Sequence, residues 1–110
     1  MATYTPTATP TLFYRGAATT TSSTVYTVPT STSSYSTVAI LTDIVISSTD
    51  PNQQTVTILV DGVVLVPSVP ISSNSVLNFQ FRTVMTTGKV ITALAGSTNI
   101  NLHISGIQLS

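Results

Sequence analysis

Side chains that perform chemistry are few in this sequence. It has one imidazole, His103, with Ser105 two residues further on, and its only carboxylates are Asp43, Asp50 and Asp61. A serine nucleophile needs a histidine base and a carboxylate that converge on it. The three aspartates are far apart along the chain, and Asp50 and Asp61 have the neighbours of turn residues. We therefore expect no catalytic residue, and we expect His103 on the solvent-facing or interface side of the final strand.

Metal ions and cofactors are not expected either. A hard cation takes six or more oxygen ligands, usually with several carboxylates in one loop, and no two aspartates of this chain share a loop. The chain has no cysteine, so it has no thiolate ligand and no disulfide. It has no glutamate, and no pair of carboxyl groups across a cleft, as in a glycoside hydrolase, is indicated. We predict a protein without a cofactor that is not an enzyme.

Ionised side chains are scarce. They make up 5% of the residues and the formal net charge is zero, whereas a soluble domain has about 25%. Without a basic patch to hold phosphates, nucleic acid is not an expected partner. No apolar run approaches the roughly 18 residues of a membrane helix, so we expect no membrane partner. A near-neutral surface also lacks the repulsion that keeps copies of a protein apart.

The clearest local structure is a β-hairpin over residues 55–67, with Asp61 and Gly62 as a type I′ turn between two aliphatic runs. One predicted face carries Val56, Ile58, Val60, Val63 and Leu65. The other carries Thr55, Thr57, Leu59, Val64 and Val66. Because both faces are apolar near the tip, we expect one to pack on the core and the other on a second sheet or another subunit. The partner-binding residues predicted here are Leu59, Val64 and Val66.

The rest of the chain alternates apolar and polar residues between turns, without a helical period. About seven or eight strands with turns every 8 to 12 residues predict an all-β protein, a single antiparallel β-sandwich of the jelly-roll kind. In the last strand the apolar phase changes between Ile104 and Ile107. Gly106 lies at the change, and we predict a β-bulge there that swaps the two faces.

Residues 1–23 contain two prolines and no turn pair, which predicts an extended N-terminal arm before a sandwich domain of residues 24–110. The apolar cluster at residues 12–14 is either an anchor on a neighbouring surface or the first strand of the domain, and a disordered Ser/Thr/Pro stalk is a third interpretation. As an arm, residues 1–22 should be removable without unfolding the sandwich. The partner-binding residues predicted in the arm are Leu12, Phe13, Tyr14 and Arg15.

Open sheet edges are usually protected by lysines, inward charges or covering segments, and this chain has one lysine. Its edges must then be covered by the arm, by other copies, or by both. We predict an obligate homo-oligomer, most simply a ring in which each arm lies on the next subunit.

From residue 24 onward the order of features resembles a group of small virion proteins of tailed bacteriophages. The segments that carry the resemblance are Val-Tyr-Thr-Val-Pro at 25–29, the Asp61-Gly62 hairpin, Val-Pro-Ile at 69–71 with residues 74–77, Gly-x-x-Ile-x-Ala-x-Ala at 88–95, and Asn-Leu-His-Ile-Ser-Gly-Ile at 101–107. The resemblance implies a β-sandwich decoration or cement protein of a capsid, or an accessory piece of a neck, tail or fibre, and no enzyme.

On this resemblance the expected protein is a capsid decoration protein, a homotrimer that clamps subunits of the major capsid protein, or of another virion protein, through apolar contacts and its arm. It would be assembled in the host cytoplasm and located in the virion, on the capsid surface in preference to the tail. The alternative is a neck, tail or fibre module that binds other virion proteins, or a host glycan through exposed aromatic residues such as Tyr35.

Overall fold

The computed structural model describes residues 8–29 and 38–109. The strands in these ranges are β1 (Ala8–Ala17), β2 (Ser23–Thr27), β3 (Val38–Ser48), β4 (Gln54–Val60), β5 (Val63–Ile71), β6 (Val76–Met85), β7 (Val90–Ala95) and β8 (Ile100–Leu109). The described ranges hold no helix, and so none that is long and apolar enough to cross a membrane. The prediction of an all-β protein is confirmed.

The strands form two antiparallel sheets. The first sheet has the order β1-β8-β3-β6 and the second has the order β2-β7-β4-β5. Four of the strand pairs join β1 to β8, β2 to β7, β3 to β6 and β4 to β5. The first four strands therefore pair with the last four in reverse order, as the two halves of one long hairpin do. That pairing is the arrangement of a jelly roll with two Greek keys. The predicted jelly-roll sandwich is therefore confirmed.

The core lies between the two sheets and consists of aliphatic side chains. Each inner strand contributes every second residue, and the side chains of Ile44, Ile58 and Ile104 are fully buried. Burying one such side chain stabilises the fold by about 1.5–3 kcal/mol. Among the described polar side chains, Ser48 and Asp50 are the buried ones.

Strand β1 corrects the prediction of an extended arm over residues 8–17. Residues 8–17 pair with β8 along its length, and the Phe13 side chain is buried, with its ring stacked on Tyr26 at a centroid distance of 4.3 Å. The cluster at residues 12–14 is thus the first strand of the sandwich, one of the alternatives that the sequence leaves open. Among the described residues, the sandwich begins at Ala8 and not at residue 24. Residues 1–7 of the predicted arm lie outside the described ranges.

The predicted bulge at Gly106 lies in the neighbouring strands instead. The register shifts between Leu12 and Tyr14 of β1 and between Leu41 and Asp43 of β3, while β8 continues through Gly106 without an extra residue. Because Gly106 has no side chain, both neighbours approach it closely. A Cβ atom at this position would lie 2.8 Å from Cε2 of Phe13 and would also meet the carbonyl oxygen of Ile40. The side chains therefore change face in β1 and β3, beside Gly106, and not in β8. Ile107 stays on the outer side of β8.

The hairpin between β4 and β5 has the predicted turn. Asp61 and Gly62 have φ angles of 54° and 77°, and Leu59 faces Val64 as expected. The predicted register fails after that pair, because Ile58 faces Val66 and not Leu65. One extra residue in β5 turns the Val66 side chain inward, where it is 2% exposed. The placement of Val66 on the outer face was wrong for this reason.

Asp50 joins two loops at one end of the sandwich. Its Oδ1 accepts a hydrogen bond from the backbone N–H of Asn52 at 2.8 Å. Its Oδ2 accepts hydrogen bonds from the Ser97 hydroxyl at 2.7 Å and from the Asn99 amide at 3.3 Å. The Ser97 hydroxyl first, and then the Asn52 amide, stabilise the charged form and lower the pKa of Asp50 to about 2 from its usual 3.8.

We expect the protein to lose stability on acidification between about pH 4 and pH 2. The pKa of Asp50 is lower in the folded chain, so its contribution is complete above the unfolded value of 3.8 and is lost as the pH falls through about 2. Asp50→Asn should lower the melting temperature at pH 7, and the melting temperature of this variant should fall less than that of the wild type between pH 4 and pH 2. Thermal unfolding of both proteins from pH 7 to pH 2 measures this. Asp61→Asn, at an exposed turn, is the control and should keep the acid-dependent loss. Parallel curves for the wild type and Asp50→Asn would contradict the assignment.

Candidate interaction surface

The outer face of the first sheet carries an apolar patch at one end. Directly opposed residues of antiparallel strands share a face. The row that contains Ala39 and Met85 is buried in the core, so the rows on either side of it point outward. The first outward row crosses all four strands and consists of Pro10, Ile107, Ile40 and Val84. The second consists of Ala8, Leu109 and Val38. We call these two rows the apolar patch.

The exposure of the patch distinguishes it from scattered surface residues. Val84 is 63% exposed, and Leu12, which borders the patch, is 50% exposed. Pro10 and Ala8 are exposed, and the remaining members are half-buried. The chain enters β1 and β3 and leaves β8 at this end of the sheet. Neighbouring aliphatic residues on an outer sheet face are typical of a surface that contacts another protein.

A shallow cleft of about 430 Å³ lies beside the patch, above Gly106. Its apolar wall includes Leu12 and Ile107, and its polar wall includes Arg15 and Asp43. The Thr42 hydroxyl donates to Oδ2 of Asp43 at 3.1 Å, which orients the carboxylate. Small-molecule sites have volumes of about 300–1,000 Å³ and combine apolar walls with a few polar groups. Leu12 and Thr42, which lie at the bulges of β1 and β3, also line this cleft.

The polar residues near the cleft do not form a nucleophile–base pair. Nε of Arg15 donates to Nδ1 of His103 at 3.2 Å. Ser105 lies opposite Asp43, and among the hydrogen bonds of the described residues none joins its hydroxyl to His103. The described ranges also contain no group of three or more His, Cys, Asp or Glu residues that could hold a metal ion.

The partner-binding residues predicted in β1 are divided between surface and core. Leu12 and Arg15 are exposed and line the cleft. Phe13 is 6% exposed and belongs to the core, so it is not accessible to a partner. Tyr14 is half-buried, and its hydroxyl donates to the Ala17 carbonyl at 2.7 Å. The extra residue in β1 turns Phe13 inward and so corrects its prediction as an anchor on another molecule.

The predicted residues of the hairpin lie on the opposite side of the sandwich. Leu59 and Val64 face each other on the outer side of the second sheet, where Val64 is 52% exposed and Leu59 is half-buried. Val66 is in the core, as described above. The two predicted groups therefore do not form one surface. Tyr35, the aromatic residue considered for a glycan, lies outside the described ranges.

Sequence reasoning missed the row of Ile107, Ile40 and Val84. One signal was present, because the apolar phase of the last strand changes after Gly106. A bulge in β8 itself would have returned Ile107 to the core. In the structure β8 is regular, so the same phase change places Ile107 on the outer face.

The comparisons with known proteins identify a fold and no family. No protein-family model matches this chain, and no curated protein matches it. Among solved structures, the chain is similar to one from the T13 IBDV viral particle, with a TM-score of 0.58 at 6% sequence identity. The match covers 94% of this chain and 30% of that chain, so this chain spans under a third of the viral protein's length. At this identity the similarity shows a shared β-sandwich fold.

A second solved structure is weaker as a comparison. The C-terminal domain of EclA, a sugar-binding protein, has a TM-score of 0.35 at 13% identity, and the match covers 100% of this chain and 81% of that chain. A TM-score of this size does not indicate a common fold. The viral neighbour comes from IBDV and not from a tailed bacteriophage, so the bacteriophage origin stays a prediction.

Proposed function

We propose that the protein is a non-enzymatic structural protein of a virion, a capsid decoration or cement protein that binds neighbouring capsid subunits. The observation that carries this proposal is the apolar patch, which crosses all four strands of the first sheet on its outer side. The jelly-roll sandwich, shared with a chain of a viral particle, is consistent with it. So is the resemblance of residues 24–110 to bacteriophage virion proteins.

The binding energy would come from burial of aliphatic surface. The patch would lie against an apolar area of the major capsid protein, at about 25 cal/mol per Å² of apolar surface removed from water. Salt would hardly weaken this contact, since only 5% of the residues are charged. The clamping arm of this proposal is reduced to residues 1–7, because the chain from Ala8 onward belongs to the sandwich.

We also propose an oligomeric state and a position in the virion for this protein. The protein acts as a homo-oligomer, with a trimer as the simplest ring in which each copy contacts the next. It occupies the capsid surface in preference to the tail, and assembly takes place in the cytoplasm of the host. The major capsid protein, or another virion protein, is the partner.

Val84→Lys should reduce decoration of the capsid by more than about tenfold, because a charged amine would then be buried in an apolar contact. Val84 belongs to the apolar patch and is 63% exposed, so the fold should tolerate the change. Val64→Lys is the matched control, since Val64 is similarly exposed on the outer face of the second sheet. Occupancy is measured by adding each protein to capsids of its own virus that were assembled without it. Full occupancy with Val84→Lys would contradict the proposal, and a loss confined to Val64→Lys would move the contact to the second sheet.

The cleft favours a second candidate function. A neck, tail or fibre module that binds a host glycan would need hydroxyl-binding groups beside an apolar wall, and Arg15, Asp43 and Leu12 provide this combination. Binding to a glycan array that is lost in Asp43→Asn would support this role, and an array without binding would favour the structural one.

A further inference from the structure

Four strands form the edges of the two sheets, and β6 has the least protected edge. β1 contains Pro10, and β5 contains Pro67, Pro70 and Ser68 at a φ of 43°. β2 has only five residues. Prolines, irregular backbone and short length are the usual means by which a sheet edge avoids pairing with another strand. Three of the four edges therefore discourage a further strand.

Strand β6 is long and has no proline, and its one irregularity is a register shift against β3. It runs for ten residues without proline, glycine or a positive φ angle, and Arg82 is its one charged residue. Two of its residues, Phe81 and Arg82, lie opposite Thr42 of β3, yet exposed and half-buried residues alternate regularly from Val76 to Val84. Among the described residues, no strand pairs with its outer edge. Its backbone N–H and C=O groups on that edge are available to a further strand.

The inward side chains of β6 are also incompletely covered. Phe79 and Phe81 stack on each other with centroids 6.1 Å apart, and both are only half-buried although they face the core. Leu77 is half-buried in the same way. A strand added to this edge would complete their burial as well as the hydrogen-bonded ladder.

The residues of β6 indicate what that strand is, because two of the four pairs placed symmetrically about Gln80 are identical, while Leu77 lies opposite Thr83 and Asn78 opposite Arg82. In an antiparallel pair of two copies centred there, Val76 faces Val84 and Phe79 faces Phe81. The charged Arg82 then faces the neutral amide of Asn78 and not a second arginine, and Gln80 faces its own equivalent. The two residues of each opposed pair lie on the same face of the sheet, as strand pairing requires.

We infer that β6 pairs with β6 of a second copy of this chain, about a two-fold axis through Gln80. The contact joins two four-stranded sheets into one of eight strands. It is isologous, so a monomer becomes a dimer, and a trimer becomes a hexamer where the two-fold axis crosses the three-fold axis. This inference does not depend on binding to a capsid.

Single cysteines test the contact and its register, since the chain has no cysteine of its own. Gln80→Cys places two thiols opposite each other, at a separation that a disulfide can span. We expect mild oxidation to convert this variant to a covalent dimer at least about tenfold faster than Asn78→Cys, whose thiols are offset along the strands. A mixture of Asn78→Cys and Arg82→Cys should form the mixed dimer. Equal rates for the two single variants, or no covalent dimer of Gln80→Cys, would overturn the inference.

A charge exchange tests the same contact without oxidation. Asn78→Lys places lysine opposite Arg82 of the other copy, twice per contact, and should lower the mass measured by sedimentation to that of the unit that forms without the β6 contact. Adding Arg82→Glu to this variant makes both pairs attractive and should restore the mass. Thr55→Lys adds the same charge at an exposed position of β4 and should leave the mass unchanged. A melting temperature near that of the wild type shows that each variant is folded. An unchanged mass for Asn78→Lys, or no recovery in the double variant, would contradict the pairing.

Discussion

Gly106→Ala should prevent folding, or lower the free energy of unfolding by about 4 kcal/mol or more. A Cβ atom at this position would overlap the carbonyl oxygen of Ile40 and lie 2.8 Å from the Phe13 ring. The first of these contacts is with the backbone of β3, so β3 would have to move away from β8 to remove the overlap. That movement would break hydrogen bonds between β3 and β8 near Gly106. Denaturant unfolding followed by circular dichroism measures the effect.

Gly16→Ala is the matched control for this substitution. The three atoms nearest to its added Cβ all belong to the Tyr14 side chain, with the hydroxyl oxygen at 3.0 Å. Movement of Tyr14 would cost its hydrogen bond to Ala17, a loss of about 1 kcal/mol. If Gly106→Ala unfolds at the same denaturant concentration as Gly16→Ala, the close approach of β3 and Phe13 to Gly106 is wrong.

Deletion of residues 1–22 should unfold the protein. This expectation replaces the one drawn from sequence, in which these residues were a dispensable arm. The deletion removes β1, leaves β8 as an open edge and takes Phe13 out of the core. Loss of a buried phenylalanine side chain alone costs about 3–5 kcal/mol, in a fold whose whole stability is typically about 5–15 kcal/mol.

Deletion of residues 1–7 is the control, because it retains β1 from Ala8 onward. This shorter deletion should unfold cooperatively, with an m-value close to that of the full chain. It is also the variant with which to test whether an arm contributes to decoration. A cooperative transition of unchanged m-value in the deletion of residues 1–22 would show that β1 is not required for the sandwich.

The sequence predicts those parts of the fold that depend on neighbouring residues. Asp61 and Gly62 specify their turn, because they adopt positive φ angles at little cost. Alternation between turns likewise predicts most of the strands. Strand β1 was ambiguous because its partner β8 is close to the other end of the chain, so no local pattern identifies the pairing. An apolar cluster between prolines has the same appearance in a strand and in an arm.

The faces of the strands were harder to predict than the strands themselves. Each extra residue in a strand inverts the side chains that follow it, and the bulges at Phe13, Thr42 and Leu65 depend on contacts with neighbouring strands. This explains why Phe13 and Val66 were expected on the surface and are buried. It also explains why the apolar patch was missed, since the bulge was predicted in β8 at Gly106 and the extra residues are in β1 and β3.

The position of β8 between β1 and β3 has a consequence for the order of events during synthesis. The first sheet cannot close until residues 100–109 have left the ribosome, although β1 and β3 are complete long before. Until then β1 has no strand to pair with in its sheet, and β3 can pair only with β6. Pairing of such distant segments is slow compared with local pairing. The nascent chain therefore exposes aggregation-prone strand edges until β8 is complete, and a dependence on chaperones during synthesis is the expected result.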